Sequence, residues 1–229
     1  MSKRSLKGFD DVLRLSLKIM KQLEQKETPG PYEKLLAIFL SGSTRILASI
    51  RLLYTNNFPE DGMALFRNLL ELCIDLEYIK LDKRRAESFI EFSIFRTSTI
   101  FEKPDSESLL KYKAQFKNKI KWSQLSLEQM LKEISPNGSE VVTILKASYQ
   151  ISCMYSHSSV LGLSSLVGFF DGDYKLIQDR KICLKGILSS GAPVLVLLVL
   201  DRVNSEFNLD NAREIKRIFR YLPRAQINS

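Results

Sequence analysis

The sequence predicts an all-α protein, built as a single helical-bundle domain of seven to nine helices over residues 1–229. Apolar residues recur every three to four positions along most of the chain, as Val12, Leu15, Ile19 and Leu23 do. This is the spacing of one face of a helix. Proline and glycine number only seven and ten, and several of them stand between the periodic segments. The pattern therefore indicates helices joined by short turns.

The predicted elements begin and end where these patterns change. Pro31 suits the first position of a helix, and Ser126 with Gln129 has the spacing of a capping box. A turn is expected around residues 169–174, with a small hairpin there as an alternative. The predicted helices cover residues 9–25, 35–54, 62–81, 84–102, 105–122, a short stretch after 126, 140–157, 181–203 and 211–221.

Composition narrows the class of protein. The formal charge of +8 favours an acidic partner such as nucleic acid or a membrane surface. Cys73, Cys153 and Cys183 are odd in number, widely spaced and without a CxxC pair, so neither a disulfide framework nor a zinc ribbon is indicated. We interpret all three as small buried thiols. The N-terminus has no apolar signal core, so we expect a cytoplasmic protein.

The longest apolar stretch covers residues 186–200 and contains Pro193. It is too short to span a bilayer comfortably, so no membrane partner is expected. Residues 194–200 are apolar on every side, and their flanking sequence favours a buried helix over a buried strand. Such a helix is either central in a monomer or covered on one side by a second copy through a two-fold contact. We expect a homodimer.

A polar stripe interrupts the otherwise apolar third helix. Arg67, Glu71 and Asp75 are spaced by four residues and so share one face. One interpretation is a solvent-facing Arg67–Glu71 pair contributing a few tenths of a kcal/mol. The other is a polar groove facing another element, because the apolar arc around the stripe is too wide for a surface helix.

His157 is the only histidine of the chain. Tyr149, Cys153 and His157 are again four residues apart, which stacks them along one helical face. A lone histidine among serines is a hydrogen-bonded structural residue or a helix cap, or else a general acid–base or phosphate-contacting group. A single histidine excludes two-histidine zinc sites, and no metal or cofactor site is predicted.

Two basic segments are candidates for nucleic-acid binding. The first, around Lys113, Lys117 and Lys121, interleaves lysines with aromatics, and the second contains Arg217 and Arg220. Phosphate groups bind such patches without sequence specificity. The alternative is that both are ordinary solvated helix faces.

Three segments together resemble DUF5677, a family of uncharacterised bacterial helical proteins. They are residues 45–54, 64–79 and 149–159, and the resemblance extends over about 35–159, leaving the C-terminal helices at 181–221 unmatched. That family is in turn similar to the HEPN superfamily, whose helical domains dimerise and often cleave RNA without metal in toxins and defence systems.

The resemblance implies that Arg67, Glu71 and His157 converge in one catalytic site, with Asn68 and neighbouring groups such as Tyr149 and Cys153 in support. The sequence departs from the catalytic HEPN pattern, which has arginine, a polar residue and then histidine on one helix. Here Glu71 follows Arg67, and His157 lies on a different helix.

These observations lead to one expected function and two alternatives. The first is an RNA-directed, metal-independent effector of bacterial defence, acting with RNA and with a partner protein of a defence system. The second is a non-catalytic helical interaction module in which the polar residues lock helix packing. The third is binding of a small ligand in the groove.

Overall fold

The computed structural model of the chain describes residues 3–27, 30–100, 116, 121–138, 140–156, 167–170, 173–176 and 178–222. Within these ranges there are eight helices, which confirms the predicted all-α class, and one pair of short strands. The elements are α1 (Lys3–Leu23), α2 (Pro31–Thr55), α3 (Pro59–Leu81), α4 (Arg85–Ile100), α5 (Leu127–Ile134), α6 (Glu140–Ser156), β1 (Val167–Phe170), β2 (Asp173–Leu176), α7 (Gln178–Glu206) and α8 (Ala212–Tyr221).

Local sequence sets most helix boundaries. Pro31 and Pro59 each occupy the first turn of a helix, where a missing N–H costs nothing. Ser126 and Gln129 form the predicted capping box in front of α5. Helix α1 begins at Lys3 rather than at the predicted residue 9, and Gly8 lies inside it, facing the Leu222 side chain.

The predicted hairpin is present as an antiparallel pair of β1 and β2, with Phe170 opposite Asp173. The predicted helix over residues 105–122 falls almost wholly outside the described residues. Helix α7 begins at Gln178 and ends at Glu206, a few residues beyond its predicted range of 181–203 at each end.

Helix α7 is the central helix of the bundle and packs against α1, α2, α3 and α8. Its segment 194–200 is helical, as expected. Five of these seven residues are at most 4% exposed within a single chain: Leu195, Val196, Leu197, Val199 and Leu200. The apolar sides are therefore covered largely by the chain's own helices, and this segment gives no reason to invoke a second copy. The homodimer stays a prediction.

Close approach of α3 and α7 depends on two glycines. A Cβ atom at Gly62 would lie 2.8 Å from a Leu188 methyl carbon, and one at Gly191 would lie 2.9 Å from the Phe66 ring. Both distances are shorter than real Cβ contacts, so a larger residue at either position would force the facing side chain or the two helices to shift. This contact fixes the face of α3 that turns toward the core.

The opposite side of α3 packs against α5 and α6. The predicted packing of the Arg67 helix beside the helix that leads to His157 is therefore confirmed. A small apolar cluster of Ile74, Tyr78, Met130 and Leu131 fills the contact between α3 and α5. Helix α3 is thus enclosed by neighbours on most sides, which explains its wide apolar arc.

Two helices are long and apolar enough to cross a membrane by length and composition, residues 31–55 and 184–206. Both also supply the bundle core, as Leu36 and Leu40 of α2 and Leu200 of α7 show by their complete burial. Core helices of globular domains pass the same length test. The cytoplasmic location stays a prediction.

Candidate functional site

The candidate site starts from the polar stripe of α3. Arg67, Glu71 and Asp75 occupy three successive turns on one face. That face meets α6 and the segment containing Trp122, as the hydrogen bonds of its side chains show. Of the two interpretations of the stripe, the structure therefore supports a polar face directed at another element.

Three side chains form a closed hydrogen-bonded ring, which we call the polar triad: Arg67, Glu71 and Tyr149. The Arg67 Nε donates to Glu71 Oε1 at 3.0 Å, and its Nη2 donates to the Tyr149 hydroxyl at 3.2 Å. The same hydroxyl donates to Glu71 Oε1 at 3.2 Å. The Arg67 guanidinium also lies 5.3 Å from the centroid of the Tyr149 ring, within the range of a cation–π contact.

The polar triad is only partly shielded from solvent. The side chain of Arg67 is 21% exposed and that of Glu71 is 42% exposed. Burial acts to lower the pKa of Arg67, but the hydrogen bond to Glu71 and nearby groups raise it overall, so the guanidinium stays charged. A solute at the surface can therefore contact a cation that two neighbours hold in place.

Tyr149 is a neutral hydrogen-bond donor at physiological pH. Burial and the charge of Glu71 raise the pKa of its hydroxyl to about 12, although Arg67 opposes the shift. The phenol therefore stays protonated and donates a hydrogen bond to the Glu71 carboxylate. Its role in the triad is to position the two charged groups, because a neutral phenol at pH 7 is a poor base or nucleophile.

Asp75 lies one turn beyond the triad and bonds to Trp122. The indole Nε1 donates to Asp75 Oδ1 at 2.9 Å. Burial, together with the charge of Glu71, raises the pKa of Asp75 to about 6, against the lowering effects of the Trp122 hydrogen bond and of Lys121. Among the described groups that contact this stripe, Asp75 is the one whose pKa is moved toward neutrality.

The predicted supporting residues lie in different surroundings. Tyr149 belongs to the triad, and Cys153, one turn later on α6, is half-buried. Asn68 is exposed on α3. Helix α6 ends at Ser156. His157 lies outside the described residues, so its convergence with Arg67 and Glu71 stays a prediction.

The sequence predicts small buried thiols at all three cysteines. Cys73 is 4% exposed and its thiol contacts the Leu195 carbonyl, which confirms that interpretation. Burial raises the pKa of Cys73 well above its usual range. Cys153 is only half-buried, and the side chain of Cys183 lies outside the described residues.

The predicted nucleic-acid-binding residues do not form one patch within the described residues. Lys113 and Lys117 lie outside them. Lys121 is exposed next to the Trp122 contact, where its charge lowers the pKa of Asp75. Arg217 and Arg220 are exposed on α8, a helix that packs against α1 and α7 rather than against α3.

Trp122 is the residue of this region that sequence reasoning did not assign. It bonds to Asp75 and packs edge-on against Tyr78 and Phe89, with ring centroids 5.7 and 5.2 Å away. One signal was available, because a buried indole N–H needs an acceptor and a carboxylate inside an apolar arc needs a donor. The two residues are separated by 46 others, so only the packing identifies them as partners.

In the described part of the chain, no group of three or more His, Cys, Asp or Glu side chains is placed to hold a metal ion. No curated protein and no solved structure matches the sequence. One family model does match, that of a family of unknown function, over residues 33–174. This range covers nearly all of α2, the whole of α3 to α6 and the polar triad, ends within β2, and is slightly longer than the expected 35–159. Because the match covers more than half of the chain, the protein belongs to the DUF5677 family.

Proposed function

We propose that the protein is an RNA-directed effector of bacterial defence or stress response, similar in fold to the HEPN superfamily, that binds RNA and cleaves it without a metal ion. The observation that supports this best is the polar triad. It presents a charged guanidinium at the surface. Glu71 on the same helix and Tyr149 on a second helix hold this group in place. A fixed cation of this kind suits a phosphate group, because guanidinium groups pair with phosphate oxygens in a defined geometry.

The proposed reaction needs few groups. The RNA 2′-hydroxyl oxygen forms a bond to the neighbouring phosphorus, the bond to the 5′-oxygen breaks, and one proton moves from the first oxygen to the second. His157 is proposed to transfer this proton, because an unperturbed imidazole titrates near neutral pH. Arg67 holds the phosphate as negative charge builds up, and Glu71 orients Arg67.

The sequence connects His157 to this site through α6. Tyr149 contacts Arg67 directly, and Cys153 lies one turn further along α6. His157 follows Cys153 by four residues, the spacing that carries one face of a helix from turn to turn. This spacing supports the proposed meeting of His157 with Arg67.

The alternative is a non-catalytic helical interaction module, and one observation favours it. The triad is a closed ring in which each side chain bonds to both others, so it can serve to lock α3 to α6. A lock of this kind contributes to stability without any reaction. The two proposals differ in what loss of His157 should change.

The test compares wild type with His157→Ala and Arg67→Ala, each expressed in a bacterium, by growth and by the integrity of tRNA and rRNA. Arg84→Ala is the matched control, because it removes one arginine that is 91% exposed between α3 and α4. We expect wild type and the control to slow growth and fragment RNA, and the two site variants to do neither. Purified wild type should keep its cleavage activity in EDTA and leave 2′,3′-cyclic phosphate ends.

Intact RNA with wild type, both in cells and with the purified protein, would refute the ribonuclease proposal. The interaction module instead predicts intact RNA throughout, with Arg67→Ala less stable to heat than Arg84→Ala. Fragmentation that persists in His157→Ala would show that another group carries the proton.

A further inference from the structure

Helices α1 and α8 form an antiparallel pair on one side of the bundle. Lys18 of α1 bonds to Glu214 of α8 at 2.8 Å, and the Tyr221 hydroxyl bonds to Asp11. Gly8 lies beneath the Leu222 side chain at the far end of the pair. Residue numbers along α1 fall as those of their partners in and just after α8 rise, so the two helices lie side by side and antiparallel. Because they are in direct contact, their solvent-exposed surfaces adjoin.

This shared face is strongly basic. Of the described side chains on the two helices, eight basic ones are exposed and three acidic ones are partly buried, a formal excess of five out of the +8 of the whole chain. The acidic groups are Asp10, Asp11 and Glu214. We call the eight the basic face: Lys7, Arg14, Lys18, Lys21, Arg213, Lys216, Arg217 and Arg220.

The acidic residues are already occupied by ion pairs. Asp10 bonds to Arg51 of α2 at 2.7 Å, and Asp11 lies 3.4 Å from Arg14 while also accepting from the Tyr221 hydroxyl. Glu214 sits between Lys18 and Arg217, at 2.8 and 3.7 Å. Three carboxylates thus serve the contact between helices, and most of the positive charge remains uncompensated at the surface.

We propose that the basic face is an RNA-binding surface, which contacts the phosphate backbone of single-stranded RNA. The proposed function above supplies one premise of this proposal, that the bound polyanion is RNA. The basic face itself lies on α1 and α8, whereas the polar triad lies on α3 and α6. Phosphates spaced along a strand match cations spaced along two helices, and releasing their counterions drives the association. Contacts of this kind do not depend on base sequence.

Two features favour RNA over an anionic membrane surface. A helix that lies in a membrane interface inserts a broad apolar face. Here the apolar faces of both helices are in the core, since Val12, Ile19 and Ile218 are completely buried. In contrast, Phe219 is 54% exposed beside Arg220, where its ring can stack on an unpaired base.

The test measures binding of a labelled single-stranded RNA 20-mer by fluorescence anisotropy. The salt concentration is varied from about 0.05 to about 0.3 M, which includes the physiological value of about 0.15 M. The triple variant Arg14→Gln, Arg213→Gln and Arg220→Gln removes three charges from the basic face. A matched control, Lys34→Gln, Arg45→Gln and Lys132→Gln, removes three exposed charges from α2 and α5. The His157→Ala background keeps the probe intact in all of these proteins.

We expect the triple variant to bind up to about 100-fold more weakly at 0.1 M salt, with a log–log salt slope flatter by about two, while the control keeps the wild-type slope. Phe219→Ala should weaken binding about 10-fold without changing the slope, because stacking is not electrostatic. Arg14→Lys, Arg213→Lys and Arg220→Lys together should keep the slope.

Several results would overturn the proposal. Equal loss in the triple variant and its control would mean that net charge alone matters, and unchanged binding in the triple variant would place RNA elsewhere. An unchanged affinity in Phe219→Ala would argue against a base-bearing occupant. Charge-dependent binding to phosphatidylserine vesicles without RNA binding would assign the face to a membrane. None of these results depends on whether the polar triad cleaves RNA.

Discussion

Replacing Asp75 with asparagine should stabilise the protein at pH 8 and leave its stability nearly unchanged at pH 4. Asparagine removes the carboxylate charge but keeps a carbonyl oxygen that can accept the Trp122 indole hydrogen, which Asp75 Oδ1 now accepts at 2.9 Å. The substitution therefore isolates the free-energy cost of holding a charge at this position. The neighbouring groups that act on that charge are Glu71, which opposes it, and Lys121, which favours it.

The magnitude follows from the shift in pKa. The pKa of Asp75 is about 6 in the folded protein against 3.8 for an unperturbed aspartate, a difference of about two units. Each unit corresponds to about 1.4 kcal/mol, so the ionised group lowers the free energy of unfolding by about 3 kcal/mol above pH 6. Between pH 4 and 6 the folded state holds more protons than the unfolded state, and stability falls as pH rises through that window.

The assay is urea denaturation at several pH values from 4 to 8, because urea carries no charge and leaves electrostatic effects intact. Trp122 is the only tryptophan, so its fluorescence reports on the site itself while circular dichroism reports on the helices. We expect Asp75→Asn to exceed wild type by up to about 3 kcal/mol at pH 8 and the two curves to converge near pH 4.

Asp210→Asn is the control, because it removes a carboxylate that is exposed in front of α8. It should change the free energy of unfolding by less than about 0.5 kcal/mol. A difference between Asp75→Asn and wild type that is the same at pH 4 and pH 8 would refute the reasoning, because ionisation would then play no part in it.

Four further substitutions test the packing of the triad and of α7. Tyr149→Phe removes the hydroxyl that bonds to both Arg67 and Glu71, and should lower the free energy of unfolding in urea by about 1 kcal/mol. An unchanged urea midpoint would show that the triad does not contribute to stability. Leu197→Asp, at a side chain 1% exposed, should abolish helicity rather than dissociate a dimer, and a folded monomer would contradict that placement. Gly186→Ala should stabilise the protein by about 0.5–1 kcal/mol, because the added Cβ atom would meet nothing within 4 Å. Gly191→Ala should destabilise the protein, because its Cβ atom would lie 2.9 Å from a carbon of the Phe66 ring. Equal thermal midpoints for the two variants would refute this contrast.

The helices were largely predictable because their signals are local. Apolar spacing along α1 and α2, the proline at residue 31 and the capping box at Ser126 each act within a few residues. Local signals also placed the stripe of Arg67 and Glu71 and the i, i+4 spacing that includes Tyr149. The class of fold follows from these features without any knowledge of packing.

The contacts between helices were not predictable in the same way. The bond from Arg67 to Tyr149 joins residues 82 apart, and that from Trp122 to Asp75 joins residues 47 apart. Which faces meet depends on close approach of helices, as at Gly191, and no periodic pattern encodes it. The same limit explains why residues 194–200 suggested a dimer. A helix that is apolar on every side must be buried, but its sequence does not show whether helices of the same chain or of a second copy bury it.

The family-matched segment contains the polar triad but not the helix that supports it. Residues 33–174 include α3, yet the core-facing side of α3 is closed by α7, where the Phe66 ring meets Gly191. Near the C-terminal end of α3, Glu77 accepts two hydrogen bonds from Arg202 of α7, at 2.7 and 3.1 Å. Without α7, the apolar arc of α3 would face water and the triad would lose the fixed backbone on which its geometry depends. Helix α7 is therefore as necessary to the site as the helices that carry its side chains, although it contributes none of the three.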